Sequence, residues 1–200
     1  MKTFLTMILL MITSLAYTGN PEAIIDKPAP GFTLVSTKGD TISLSDFKGK
    51  TVVLEWVNYD CPFVKKHYQS GNMPSLQKKW TEAGVVWLAI CSSAPGKQGH
   101  FSIEDIQKRQ ASHQSNPTAY LIDETGTVGK RYGAKTTPHM FIISAEGTLV
   151  YAGAIDDKPS TDPDDIAGAV NYVSDALTAV LAGKPVAVKE TKAYGCSVKY

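Results

Sequence analysis

The sequence predicts an α/β sandwich around a mixed central sheet. Apolar runs rich in β-branched residues alternate with helical stretches, and the pattern closes on a hairpin followed by one last helix. The chain has 200 residues, with ordinary hydrophobic content and mixed charge, which is enough to bury one domain core.

Taken in order, the first residues stand apart. Met1-Lys2-Thr3 precedes an apolar run, Phe4 to Tyr17, that is shorter than the roughly 20 residues a spanning helix needs. A short basic start, an apolar run and small residues near Ala16 predict a signal peptide over residues 1–18. The domain is then expected over 22–183 and a C-terminal tail over 184–200. Asp26-Lys-Pro-Ala-Pro-Gly31 is a turn-rich lead into Phe32 and Leu34, and Gly39-Asp40 returns the chain at Ile42, which predicts an N-terminal β-hairpin extension.

Thr51–Val57 and Val85–Cys91 have the density of Val, Ile, Leu and Trp that suits central strands. Thr118–Ile122, Met140–Ile143 and Thr148–Ala152 follow, the last two joined by the turn signal Glu146-Gly147. Between strands, a helix is expected from Pro62 to about Ser70, broken at Gly71-Asn72. A second is expected to open at Pro74, with Leu76 and Trp80 on one face, and a third after the capping sequence Ser102-Ile-Glu-Asp105. One final helix is expected from Asp162, which caps it, to Gly183, which ends it. Ile166, Val170, Val173, Leu177, Val180 and Leu181 would form its apolar face. The tail beyond Lys184 has no periodicity.

The formal charge is +1, and without Lys2 the mature chain is near neutral, so it lacks the basic stripe that phosphate backbones require. Nucleic acid is not an expected partner, nor is a membrane once the signal is removed. Export favours persistent disulfides. The chain has three cysteines, Cys61, Cys91 and Cys196, so at least one is unpaired or pairs only transiently. They show no zinc-ligand spacing with histidine, and no metal is expected.

Cys61 follows a core strand and precedes a helix that Pro62 opens. A cysteine at a helix N-terminus meets unpaired N–H groups and the positive end of the dipole, which take a thiol from about 8.5 into the range of about 3.5–7.5. Lys65 and Lys66 would push the same way and Asp60 against it. The competing reading is a buried structural thiol.

The segment Val52-Val-Leu-Glu-Trp-Val-Asn-Tyr-Asp-Cys-Pro-Phe-Val-Lys65 resembles the active-site strand and helix of the thioredoxin superfamily. Lys135-Thr-Thr-Pro-His-Met-Phe-Ile-Ile143 resembles that superfamily's loop in which a cis-proline faces the reactive cysteine. Lys27-Pro-Ala-Pro-Gly-Phe-Thr-Leu34 is similar to the start of the alkyl hydroperoxide reductase/thiol-specific antioxidant (redoxin) branch. Thr191-Lys-Ala-Tyr-Gly-Cys-Ser-Val-Lys199 resembles the C-terminal signature of a peroxiredoxin-like subgroup. The resemblance implies a thioredoxin-like fold, a central mixed β-sheet flanked by helices, with Cys61 reactive and Thr137 and Pro138 binding substrate. Trp56 is expected to be core that also walls the site.

Departures limit the transfer. Thioredoxins carry Cys-x-x-Cys, and Val64 stands at the second position here, so a neighbouring disulfide cannot form. Typical peroxiredoxins have a threonine where Asn58 stands and an arginine where Pro138 aligns, and those groups orient the peroxide. Their absence argues against efficient peroxide reduction. Cys196, beside the conformationally free Gly195, is then either a resolving partner that swings in from a mobile tail or a small residue that fastens the tail. His139 is a candidate base or metal ligand that could equally point away from Cys61. Cys91 is expected to be structural. Tyr59 and Asp60 lie in the loop before Cys61, Asp60 as a proton shuttle or a solvated carboxylate.

The leading expectation is an exported, periplasmic or secreted, thiol oxidoreductase that acts through Cys61 on a thiol, a disulfide or a small peroxide. A reductant protein of the same compartment would serve it, and no organic cofactor is expected. The alternatives are a copper-holding chaperone, with His67 and His139 as companions of Cys61, and an interaction module with little catalysis.

Overall fold

The computed structural model describes residues 22–200. The expected signal peptide lies outside the described residues.

The strands are β1 (Thr33–Ser36), β2 (Thr41–Ser43), β3 (Val52–Trp56), β4 (Val86–Cys91), β5 (Ala119–Ile122), β6 (Thr136–Thr137), β7 (His139–Ile143), β8 (Leu149–Gly153) and β9 (Cys196–Ser197). Seven form one sheet in the order β2-β1-β5-β4-β3-β7-β8, while β6 and β9 pair separately. β4 runs parallel to both β3 and β5, whereas β7 lies antiparallel to β3 with Trp56 opposite His139. The helices are α1 (Pro62–Gln69), α2 (Asn72–Glu82), α3 (Ile103–Ser112), α4 (Thr127–Tyr132) and α5 (Tyr172–Leu181). This is the thioredoxin-like arrangement of a mixed sheet between helices, with the expected N-terminal hairpin as β1 and β2.

The two-residue period of the strands divides the core in two. Val53 and Val57 of β3 and its continuation, with Met140 and Ile142 of β7, pack with Cys61, Val64, Tyr68, Trp80, Val173 and Leu177 on one face. Val52, Leu54 and Trp56, with Phe141 and Ile143, pack with Phe32, Val128 and Tyr132 on the other. α1, α2 and α5 therefore cover the face that carries Cys61, and α4 covers the opposite one.

The structure departs from the sequence reading in four places. α2 begins at Asn72, so Pro74 falls inside its first turn, where its missing N–H costs nothing. α4 was not anticipated, because six residues are too few to show a period. The long final helix is two pieces. Asp162 caps a short 3₁₀ turn, Pro163–Gly168, and α5 starts afresh at Asn171, whose side chain accepts from the Ser174 amide. Between them Val170 is bonded to the Asp157 carboxylate and is 50% exposed, and Leu181 is 47% exposed, so neither joins the buried face.

The fourth is the mobile-tail alternative for Cys196, because the tail is docked along its length. The Thr191 amide donates to the Ala152 carbonyl, the Val198 amide to Lys135, and the Ala94 amide to the Lys199 carbonyl. The Tyr200 hydroxyl donates to Ala134 at 2.7 Å while its ring packs where Gly126 and Gly129 leave no side chain. A segment without periodicity is thus held by single, non-repeating contacts.

Candidate active site

Cys61 occupies the N-cap of α1, in extended conformation, and Pro62 supplies the first helical residue. Its side chain is 0% exposed. The thiol donates to the Thr137 carbonyl at 3.0 Å, and the Thr137–Pro138 peptide bond is cis. The strand end, the helix start and the proline loop therefore converge on one sulfur.

Cys196 lies against the same loop. β9 pairs antiparallel with β6, placing Cys196 opposite Thr137, and Gly195 lies flat on the Thr137 carbonyl. A Cβ at Gly195, whose φ is +140°, would sit 2.0 Å from that oxygen, so only glycine permits the strand to come so close. Cys196 remains partly exposed.

The two thiols ionise as a pair. Burial opposes the Cys61 thiolate. Hydrogen bonds from the Cys196 thiol and backbone, the Val64 amide and the Thr137 side chain outweigh it, holding Cys61 below its ordinary value. Thr137 is buried, and its hydroxyl has no partner while Cys61 holds its proton; ionisation gives it one. Cys196 moves the other way, pushed up to about 11 by burial and by the proton it holds toward Cys61. The arrangement makes Cys61 the more readily ionised of the two thiols.

The lysines do not act as expected. Lys66 is buried, with its Nζ donating to the Lys158 carbonyl at 2.7 Å and lying 4.0 Å from Asp156. Asp156 also accepts from the Tyr194 hydroxyl, and Tyr194 in turn meets His67 Nε2 at 3.0 Å. Asn72 holds the other ring nitrogen at 2.9 Å. Burial, then Lys66, pushes His67 down to about 3, so it is neutral. This network clamps Tyr194, two residues before Cys196, onto α1. It escaped the sequence reading, whose only signal was an aromatic residue beside Gly195-Cys196.

Trp56 and His139 are corrected by strand parity. Trp56 is fully buried among Tyr132 and Phe141 on the face opposite Cys61, and its indole donates to Ser92 at 3.0 Å, so it does not wall the site. His139 stacks on Phe141 with centroids 4.4 Å apart and accepts from the Lys135 amide, also facing away from Cys61. Asp60 is held by Arg109 at 2.5 Å rather than free as a shuttle. Tyr59 is buried in the core, its hydroxyl donating to Ser115. Cys91 bonds to Ser93 and to the Gly99 carbonyl. A further buried acid, Glu55, accepts from Tyr68, Gln77 and Trp87, and burial raises its carboxyl above the usual range despite those bonds. A charged residue within an apolar strand was the signal for it.

Residues 25–152 match the profile of the AhpC/TSA family. The chain belongs to the AhpC/TSA family. Among relatives of this member, thiol-disulfide oxidoreductase ResA of Bacillus thuringiensis subsp. konkukian is 28% identical over 134 residues, 67% of this chain and 72% of that protein. The "Probable phospholipid hydroperoxide glutathione peroxidase" of Solanum lycopersicum is 33% identical over 91 residues, and the match spans 46% of this chain and half (50%) of that relative's length. An uncharacterized conserved protein from Geobacillus kaustophilus superposes with a TM-score of 0.76 at 30% identity, covering 92% of this chain and 94% of that one. This AhpC/TSA member shares the redoxin scaffold with these relatives. Cys196 lies in the C-terminal tail, beyond the matched residues.

Proposed function

We propose that this protein is an exported thiol–disulfide oxidoreductase whose redox pair is Cys61 and Cys196. The observation that carries the reading is the β6–β9 register. It sets Cys196 opposite Thr137, against the very thiol that Thr137 holds, and the two cysteines shift each other's ionisation. In the net reaction an external disulfide R–S–S–R gains two electrons and two protons and leaves as two R–SH, while Cys61 and Cys196 pass from two thiols to one disulfide. An external dithiol reverses it. In that reverse direction, attack on the Cys196 sulfur expels Cys61, whose depressed thiol makes it the better leaving group of the pair.

The copper-chaperone alternative loses support from geometry. His139 faces the other side of the sheet, and both ring nitrogens of His67 are already engaged. Among the described residues no group of three or more Cys, His, Asp or Glu is placed to hold a metal ion. For peroxide, Arg109 is committed to Asp60, and the groups acting on Cys61 include no guanidinium, which favours disulfides as substrates. The test is turnover of glutathione disulfide with dithiothreitol as donor. Wild type should turn over, and Cys61→Ala and Cys196→Ala should each lose it; retained turnover in both variants would overturn the reading.

A further inference from the structure

The edge of β6 is where an extended peptide could add a strand across Thr137 and lay its own cysteine on Cys61. In this chain residues 195–198 already fill that edge. Cys196 takes the register position opposite Thr137, Gly195 covers the Thr137 carbonyl, and Val198 bonds to Lys135. On one side the strand is clamped by Tyr194 on Asp156 and His67, and on the other by Tyr200 on Ala134. Cys61 beneath it has no exposed surface, whereas Cys196 does.

We propose that the C-terminal strand is a built-in substrate mimic that sets the substrate class of the site, admitting low-molecular-weight disulfides and excluding peptide and protein disulfides that must add a strand to β6. This rests on the Cys61–Cys196 reading. A small disulfide R–S–S–R needs no backbone pairing and meets the partly exposed Cys196. The Cys196 thiol gives its proton to solvent and its sulfur attacks, and the first R–S⁻ leaves and is protonated by water. Cys61 then gives its proton to solvent and attacks the Cys196 sulfur of the mixed disulfide, expelling the second R–S⁻. The products are two R–SH and the Cys61–Cys196 disulfide. A peptide disulfide finds the β6 hydrogen-bonding groups taken, and direct attack by Cys61 would require the tail to leave.

The experiment compares exchange rates of the full-length mature protein with glutathione disulfide and with the glutathione mixed disulfide of a decapeptide matching residues 191–200. It is run on wild type, Gly195→Ala, which cannot seat the strand, and Tyr200→Ala, which loosens its end from an exposed position. Wild type should exchange with glutathione disulfide and scarcely with the peptide. In the variants the peptide-to-glutathione rate ratio should rise by about tenfold or more, equivalent to roughly 1.4 kcal/mol of lost tail docking. A wild-type protein that exchanges with the peptide as readily as the variants do would overturn the proposal while leaving the redox pair intact. Failure to exchange even with glutathione disulfide would instead remove the redox reading, and the proposal with it.

Discussion

Gly195→Ala is the sharpest perturbation of the site short of removing a sulfur. The added Cβ would lie 2.0 Å from the Thr137 oxygen and 2.7 Å from its carbonyl carbon, against backbone rather than a flexible side chain. Alanine at a φ of +140° also carries strain of about 1–3 kcal/mol. Relief comes from lifting β9 off β6. That forfeits about two backbone hydrogen bonds worth roughly 1 kcal/mol each, disfavouring the docked strand by about 2 kcal/mol, or roughly thirtyfold. The assay is the rate of Cys61–Cys196 bond formation after a brief oxidant pulse, read by acid quench, alkylation and mass spectrometry. The variant should form the bond about tenfold more slowly or worse, and its Cys61 should become accessible to alkylation. A variant that closes the disulfide at the wild-type rate with an unchanged Tm would refute the reasoning that this glycine seats the strand.

Cys196→Ala removes the main hydrogen bond that offsets burial at Cys61, so the thiolate absorbance of Cys61 should titrate at higher pH than in wild type; an unchanged midpoint would contradict the coupling. Tyr194→Phe leaves Asp156 without its hydroxyl donor when its other oxygen already has no partner. It should cost about 1–3 kcal/mol, lowering Tm by about 2–4 °C per kcal/mol for a domain of this size. Stability should also fall in mild acid. Burial, with Lys66 and Lys135 adding, depresses His67 to about 3 and His139 to about 4, so below about pH 6.5 the unfolded chain binds protons that the folded chain refuses, with a slope of about 1.4 kcal/mol per pH unit for each histidine. Their contribution is complete above about pH 6.5 and is lost toward about pH 4 for His139 and about pH 3 for His67. Glu55, raised by burial, slopes the opposite way, so urea midpoints of His67→Gln and wild type at several pH values isolate the histidine term; identical slopes would contradict it.

Much of the scaffold was legible because its signals are local. β3 and β4 are short runs of β-branched and aromatic residues whose position in the sheet follows from burial on both faces. Cys61 was legible for the same reason, since the strand, the cysteine and Pro62 are contiguous. Trp56 departs from the expectation because adjacency in sequence is not adjacency in space. The alternation of β3 puts it with Leu54, away from the face that Cys61 enters after the strand ends. The tail was illegible because it is held by partners far along the chain, Thr137, Asp156 and Ala134, each contributing one contact. Periodicity cannot register such a segment. The interrupted final helix failed through competition, since Asn171 and Asp157 offer the backbone amides of Ser174 and Val170 side-chain acceptors in place of helical carbonyls.

The central claim is that Cys61 and Cys196 form one redox pair, and peptide mapping of the gently oxidised protein tests it most directly. The account predicts an intramolecular Cys61–Cys196 disulfide, formed in monomer and independent of protein concentration, with Cys91 free. A Cys61 oxidised to sulfenic acid or joined to Cys91 or to another molecule, with Cys196 still reduced, would contradict it.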